Sequence, residues 1–194
     1  RLAANRQGLS HEEQRVLALW GPSSSAEALR EAADNLRFQR GQSDRFKEGL
    51  ARSGEWYSHI EQVLAQKNLP PELAALPHVE SSFNPEAYSS AGAAGIWQFT
   101  RSTGRSYLNI DYVVDERMDP FAATDAAARL LQHNYDLTDS WPLAITAYNH
   151  GTTGVRRAVR QLGTTDIATI LRHYKGRSFG FASRNFYISF LAAV

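Results

Sequence analysis

Glu80 is the acidic residue whose neighbours in this sequence could equip it for proton transfer. Apolar residues three and four apart lead up to it, so it falls in the last turn of an apolar helix. The carbonyl end of a helix dipole disfavours a carboxylate, and burial beside Phe83 and Trp97 would act in the same direction. Both effects predict a raised pKa, as a general acid requires. The alternative interpretation is a solvated glutamate at a helix end.

A second group of residues follows Glu80 along the chain. Residues 92–99 read GAAGIWQF, in which small residues allow close backbone approach. Gln98 lies between Trp97 and Phe99, and this combination suits a sugar, whose ring faces stack on aromatic rings and whose hydroxyls need polar partners. The competing interpretation is that the small residues serve tight packing and that Trp97 belongs to the core.

A third group, AYNHG at residues 147–151, follows an apolar run and is expected where a buried helix ends. Asn149 and Gly151 are both candidates for the C-cap of that helix. His150 has the chemistry of a catalytic base. We interpret it as a capping or surface residue, because the sequence supplies no nucleophile for it to activate.

Composition and motifs exclude several other functions. The chain has no cysteine, no phosphate-binding loop, no GxSxG turn and no paired histidines at metal-ligand spacing, so we predict neither a cofactor nor a metal site. With 21 basic and 20 acidic residues, charge gives no reason to propose nucleic acid as a partner. No apolar run is long enough for a membrane span. The acidic cluster around Asp111 and Asp115 is interpreted as a solvated loop.

The elements that must position these residues are mainly helical. Apolar spacing predicts an all-α fold, with helices over residues 12–20, 26–38, 56–64, 122–135, 155–162 and 186–194. Pro70 and Pro71 mark a further helix start, and residues 107–114 could hold a short extended piece. Composition shifts near Pro70. We therefore predict a helical extension over residues 1–69 that packs on a catalytic domain over residues 70–194.

The three groups together, in this order, resemble the lytic transglycosylases of glycoside hydrolase family 23, especially the membrane-bound murein type D group. The resemblance covers about residues 69–194. It implies a mainly helical, lysozyme-like fold with a long groove that binds bacterial peptidoglycan strands. It also implies a monomer working in the periplasm, often tethered to the outer membrane by a lipid anchor and often followed by cell-wall-binding repeats.

The resemblance assigns roles to individual positions. Glu80 matches the single catalytic acid/base, and Ser81 matches the serine that hydrogen-bonds it. Further matches are substrate-binding positions in the groove, namely Ser89, Gln98, Tyr148 and Asn149.

Two positions depart from the family pattern. The last family motif places a tyrosine after a glutamate-threonine pair, and Tyr187 is the candidate here, whereas a strict register selects Phe186. His150 replaces the small residue that is common in the third motif.

The implied reaction is non-hydrolytic cleavage between N-acetylmuramic acid and N-acetylglucosamine, which leaves a 1,6-anhydro sugar. One carboxyl suffices if the N-acetyl group of the substrate assists. Two alternatives stay open. A goose-type lysozyme would add water with the help of Asp111 or Asp115, and a non-catalytic module would only hold glycan. The retained Glu80, Ser81 and Gln98 argue against the second alternative.

Overall fold

The computed structural model describes residues 2, 4–20, 25–34 and 43–194, and the chain divides into two compact units, Arg1–Gln42 and Ser43–Val194. The first unit contains helices α1 (His11–Trp20) and α2 (Ala26–Asp34). A serine begins each helix, since the Ser10 hydroxyl accepts from the Glu13 amide and the Ser25 hydroxyl from the Ala28 amide. Both helices agree with the sequence-based prediction, and residues 35–38 of the second prediction lie outside the described residues.

The second unit is a helical assembly. Its α-helices are α3 (Ser43–Gln66), α4 (Leu76–Glu80), α5 (Arg101–Gly104), α6 (Pro120–Thr138), α7 (Trp141–His150), α8 (Thr152–Leu162), α9 (Ile167–His173) and α10 (Phe181–Ala193). Short 3₁₀-helices cover Pro71–Ala75 and Glu116–Met118. Across the described ranges, β-structure is limited to isolated bridges. The all-α prediction is therefore confirmed. Within the same ranges, no helix has the length and apolar character that crossing a bilayer requires.

Some elements differ from the sequence-based expectation. Helix α3 begins at Ser43 rather than near residue 56, and it packs on the Pro71–Ala75 turn, on α4 and on α6. Residues 43–69 therefore lie in the second unit.

Helix α9 was not predicted because it has only seven residues, too few for a clear periodicity. The proposed extended piece at 107–114 is irregular apart from a bridge between Ile110 and Asp115. The predicted packing of the extension on residues 70–194 stays a prediction.

Two buried clusters organise the second unit. The main core joins α3, α4, α6, α10 and the 92–99 segment around fully buried side chains such as Trp97 and Leu131. The second core joins α7, α8 and α9 with Tyr174 and Phe179. Helix α7 contributes to both cores, and α10 packs against both α4 and α7. This arrangement fixes the C-terminal ends of α4 and α7, where the chemically interesting residues lie.

Candidate active site

Glu80 is the last residue of α4, and the chain turns sharply directly after it. Ser82 and Phe83 have positive φ angles of 54° and 55°, a conformation that costs an L-residue about 1–2 kcal/mol. The turn is held by the amides of Ser81 and Phe83, which both donate to the carbonyl of Pro77, and by the fully buried Phe83 ring. Strained backbone of this kind persists only where the surrounding structure fixes it.

The carboxyl group of Glu80 is strongly perturbed. Glu80 keeps part of its surface exposed, yet burial raises the pKa of its carboxyl to about 8. Among the described residues, none hydrogen-bonds this carboxyl, so nothing offsets the loss of solvation. The predicted rise in pKa is confirmed. A carboxyl of this kind is protonated at neutral pH and can give up its proton.

The segment after this turn folds back on itself through small residues. Ala94 pairs by antiparallel bridges with both Tyr88 and Phe99. Gly95 has a φ of 75°, and a Cβ atom there would lie 1.9 Å from the carbonyl oxygen of Arg117. Only glycine fits at that position, so the expectation that small residues allow close backbone approach is confirmed there.

Gln98 and Ser89 are both held by main-chain groups of this segment. The Gln98 side-chain amide donates to the carbonyls of Gly95 at 2.9 Å and Ala87 at 3.2 Å, while its backbone has a φ of 49°. The Ser89 hydroxyl accepts from the Ala93 amide at 3.0 Å. Because the donors of Gln98 are occupied, its side-chain oxygen is the atom left to receive a hydrogen bond from a ligand.

Ser81 joins α4 to the same segment. Its hydroxyl donates to the carbonyl of Ile96 at 2.9 Å and accepts from the Asn84 amide at 3.2 Å. The expected hydrogen bond from Ser81 to Glu80 is therefore replaced by one to the backbone beside Trp97. A hydroxyl has only one proton to donate, and here the Ile96 carbonyl takes it.

Arg117 is a residue whose importance the sequence did not reveal. Its buried guanidinium donates to the carbonyls of Gly92 at 2.7 Å and Phe99 at 3.1 Å, the first and last residues of the 92–99 segment. It also binds both carboxylate oxygens of Asp115, at 2.8 and 2.6 Å. Asp115, expected in a solvated loop, is thus committed to a buried arginine, which lowers its pKa. No local pattern marks such a contact, because Arg117 lies 25 residues from Gly92 in sequence.

Tyr148 connects α7 to the site. Its hydroxyl donates to the Trp97 carbonyl at 2.8 Å, and its ring meets Phe99 edge-on at 6.3 Å between centroids. Burial raises the pKa of Tyr148 well above its ordinary value, and the charge of Glu80 raises it further. Tyr148 and Ser81, the neighbour of Glu80, donate to the adjacent carbonyls of Trp97 and Ile96, so the structure brings the first and third sequence groups together at the second.

Helix α7 ends where the third group was expected to end it. Gly151 is the C-cap, with a φ of 83°, so of the two candidates the glycine takes this position. Asn149 is exposed, and its side-chain oxygen accepts from the Ser183 hydroxyl at 3.1 Å. The same hydroxyl lies 3.2 Å from Nδ1 of His150.

The two aromatic candidates on α10 face different surroundings. Phe186 is buried in the main core. The Tyr187 ring is stacked with the Phe190 ring, with the ring centroids 6.2 Å apart, and it lines a cavity of about 510 Å³. The residues described around that cavity all come from α9 and α10. Tyr187 and Tyr148 both pack against the main core, but Tyr187 lines a cavity formed by α9 and α10, so its role in substrate binding stays a prediction.

Asp111 and Asp115, the two carboxylates that the sequence offers as partners of Glu80, each accept hydrogen bonds from protein groups. Asp111 accepts from the amides of Val113 and Val114 at 2.7 and 2.8 Å, and these bonds lower its pKa. Asp115 is bound by Arg117. Both groups are therefore stabilised as anions by the protein itself. The arrangement provides one protonated acid beside polar groups suited to sugar hydroxyls and amides.

Comparison with known proteins shows which family and which proteins this sequence is similar to. Residues 58–171 match the family model described as the transglycosylase SLT domain. A membrane-bound lytic murein transglycosylase D of Escherichia coli is 44% identical over 97 residues, which are 49% of this chain and 22% of that protein. A transglycosylase of enterobacteria phage PRD1 is 34% identical over 99 residues, 50% of this chain and 36% of its own length.

A solved structure shares the fold. The 70 kDa soluble lytic transglycosylase of Escherichia coli superposes with a TM-score of 0.57 at 21% identity, over 70% of this chain and 23% of that structure. At this identity the likeness concerns the fold alone. The chain thus spans only about a fifth to a third of these longer proteins.

Proposed function

The chain belongs to the transglycosylase SLT domain family, and from that membership we propose that it acts on peptidoglycan as a lytic transglycosylase. The substrate is the bond between N-acetylmuramic acid and N-acetylglucosamine in a glycan strand. The observation that carries this proposal is the Glu80 carboxyl, whose pKa of about 8 keeps it protonated at neutral pH. The names of the two relatives point to the same reaction.

In the first step, protonated Glu80 donates its proton to the oxygen that links the two sugars. The bond from that oxygen to the muramoyl anomeric carbon breaks, and positive charge develops at this carbon. The N-acetyl carbonyl of the same sugar stabilises the charge, as in substrate-assisted glycosidases. No second carboxylate is needed, which agrees with Asp111 and Asp115 being occupied by other protein groups.

In the second step, Glu80 is a carboxylate and removes the proton of the muramoyl C6 hydroxyl. The C6 oxygen then closes on the anomeric carbon and gives a 1,6-anhydro sugar, which returns Glu80 to its protonated form. A raised pKa favours both steps, because the group must give up and regain one proton near neutral pH. Atoms balance without water, so the reaction is that of a lyase.

The remaining site residues are proposed to bind and orient the strand. Gln98 offers its side-chain oxygen to a sugar donor, and Asn149 offers an exposed amide.

Three other residues are proposed to hold the backbone of the site. Tyr148 and Ser81 hydrogen-bond the carbonyls of Trp97 and Ile96, and Ser89 holds the turn before them. Tyr187 is proposed to contact substrate from α10.

The main rival is a goose-type lysozyme on the same fold. That enzyme needs a carboxylate free to place a water molecule opposite Glu80. The bonds of Asp115 to Arg117 and of Asp111 to its own turn disfavour both candidates for this role. A second rival is a module that binds glycan without cleaving it. A binding module has no use for a buried carboxyl that is left without hydrogen bonds, which is costly to maintain.

Mass spectrometry of the fragments released from purified peptidoglycan tests the proposal. We expect anhydromuramoyl ends from the wild type and no release by Glu80→Gln, while both proteins bind the insoluble strands. Products heavier by one water would identify a lysozyme. Absence of products from a folded wild-type protein that still binds would favour the binding module.

We further propose a periplasmic location, in line with the cell-wall substrate and with the membrane-bound relative. A lipid anchor or cell-wall-binding repeats would lie outside residues 1–194. We propose that the protein acts as a monomer, with residues 1–69 serving as a helical extension of the catalytic domain 70–194. Comparing product release by residues 1–194 and 43–194 tests the contribution of residues 1–42, the part of this extension that forms a separate compact unit.

A further inference from the structure

Two side chains at the end of α7 and one on α10 form a hydrogen-bond network, His150–Ser183–Asn149, that the proposed reaction does not explain. Nδ1 of His150 lies 3.2 Å from the Ser183 hydroxyl, and this hydroxyl donates to the side-chain oxygen of Asn149 at 3.1 Å. Ser183 is buried on α10, whereas Asn149 is exposed at the candidate site.

The protons available to these three groups determine which of them donates and which accepts in each hydrogen bond. A serine hydroxyl has one proton, and here Ser183 gives it to Asn149. Ser183 must then accept from His150, which requires a proton on Nδ1 of the imidazole. The side-chain oxygen of Asn149 is thereby occupied. The NH₂ group of the exposed Asn149 is then the part of the amide left to donate to a ligand.

We propose that His150 is a positioning residue which, through Ser183, fixes the amide of Asn149 so that its NH₂ group faces the substrate. The proposal rests on the proposed function. It makes Asn149 a donor, so the group it recognises must be an acceptor. In a peptidoglycan strand, acetamido carbonyls and hydroxyl or ring oxygens meet this requirement.

The surroundings of His150 support a fixed ring. The ring meets Phe179 edge-on at 4.8 Å between centroids. A Cβ atom at Gly154 would lie 2.5 Å from Cδ2 and Nε2 of His150, so the absence of a side chain at this position makes room for the imidazole. Burial, with a smaller contribution from Arg157, lowers the pKa of His150. The neutral ring carries a single proton, and its position is therefore decisive.

The tautomer of His150 can be measured without any activity. Nitrogen-15 spectra of protein labelled at its six histidines, recorded at neutral pH, report which ring nitrogen carries the proton. The signal that disappears in His150→Asn identifies the residue, and the exposed His133 serves as an internal reference. We expect the proton on Nδ1 of His150. A proton on Nε2 alone would overturn the proposal, since Nδ1 would then accept from the Ser183 hydroxyl instead of donating to it.

Kinetics on peptidoglycan provide the second test. Ser183→Ala and His150→Leu should each raise KM about fivefold with kcat within about twofold, because an interaction made equally in the ground and transition states is lost. His150→Asn keeps a donor near the position of Nδ1 and should restore most of KM. The double variant Ser183→Ala/His150→Leu should be no worse than either single variant.

These outcomes separate failure of this proposal from failure of the proposed function. An unchanged KM in folded Ser183→Ala, or no rescue by His150→Asn, would overturn the positioning role while the enzyme remains a transglycosylase. A wild-type protein that releases no anhydromuramoyl product would overturn the function itself. In that case the tautomer of His150 would still decide whether His150 donates to Ser183 or accepts from it.

Discussion

The hydroxyl of Tyr148 donates a 2.8 Å hydrogen bond to the main-chain carbonyl of Trp97, which fixes the end of α7 to the segment that precedes Gln98. Tyr148 is also the group whose pKa responds to the charge of Glu80. Tyr148 therefore has a structural role at the site that contains Glu80. It holds the backbone that lines the site, and its proton is engaged with that backbone.

Replacing Tyr148 by phenylalanine should lower the free energy of unfolding by about 1–3 kcal/mol, because the Trp97 carbonyl loses its partner in a buried place. Urea unfolding measures this difference. Tyr107→Phe is a matched control, since Tyr107 also packs on Phe99 but no described residue hydrogen-bonds its hydroxyl. Equal effects of the two substitutions would contradict the role assigned to Tyr148.

Activity should depend on the protonation of Glu80. With a pKa of about 8, the carboxyl is protonated at neutral pH and loses its proton as the pH rises further. The rate kcat/KM on peptidoglycan should therefore be sustained through about pH 7 and fall above about pH 8. A basic limb with a midpoint near 4.5, the ordinary value for a glutamate, would show that Glu80 is not held protonated.

Stability should also depend on this group. The folded protein binds the Glu80 proton more tightly than the unfolded chain does, so the free energy of unfolding falls as pH rises from about 4.5 to about 8. Glu80→Gln removes this loss. Its melting temperature, relative to wild type, should rise steadily between about pH 4.5 and about pH 8 and then level off. A difference that is constant with pH would refute the assignment.

The ion pair between the buried Arg117 and the partly exposed Asp115 should be necessary for the 92–99 segment. Arg117→Met removes the main partner of Asp115 and the shared partner of the Gly92 and Phe99 carbonyls, and we expect a loss of about 2–4 kcal/mol. Arg101→Met is the control, because Arg101 lies 3.9 Å from Asp115 but is half exposed, and its removal should cost less than about 1 kcal/mol. Denaturant unfolding distinguishes them, and similar losses would exclude the role given to Arg117.

Two glycines of the same segment allow a direct comparison of strain and contact. Gly92 and Gly95 have similar φ angles of 79° and 75°, but a Cβ atom meets open space at Gly92 and the Arg117 carbonyl at Gly95. Gly92→Ala should cost about 1–2 kcal/mol through the backbone conformation alone. Gly95→Ala should cost clearly more and should also reduce activity. Thermal unfolding and product release measure both, and equal losses would mean that the segment can move away from Arg117.

The sequence by itself determined the helical fold class and the position of Glu80. Apolar spacing is a local property, so α1, α6 and α8 are readable from their own residues. The apolar run before Glu80 likewise placed the acid at a helix end among buried neighbours, and this predicted its raised pKa. The length of α3 was not readable, because its first half owes its stability to packing against other parts of the chain, as the close approach of Gly49 to Ser82 shows.

Only the tertiary structure decided which polar groups hold one another. Arg117 reaches Gly92, Tyr148 reaches Trp97 and Ser183 reaches Asn149 across 25 to 51 residues of sequence. Ser81 likewise proved to bind Ile96 rather than Glu80. A hydrogen bond depends on distances of about 3 Å and on direction, and these are set by how helices pack rather than by residue type. The sequence therefore selected Glu80 as the candidate acid, and the fold identified the residues that hold its surroundings in place.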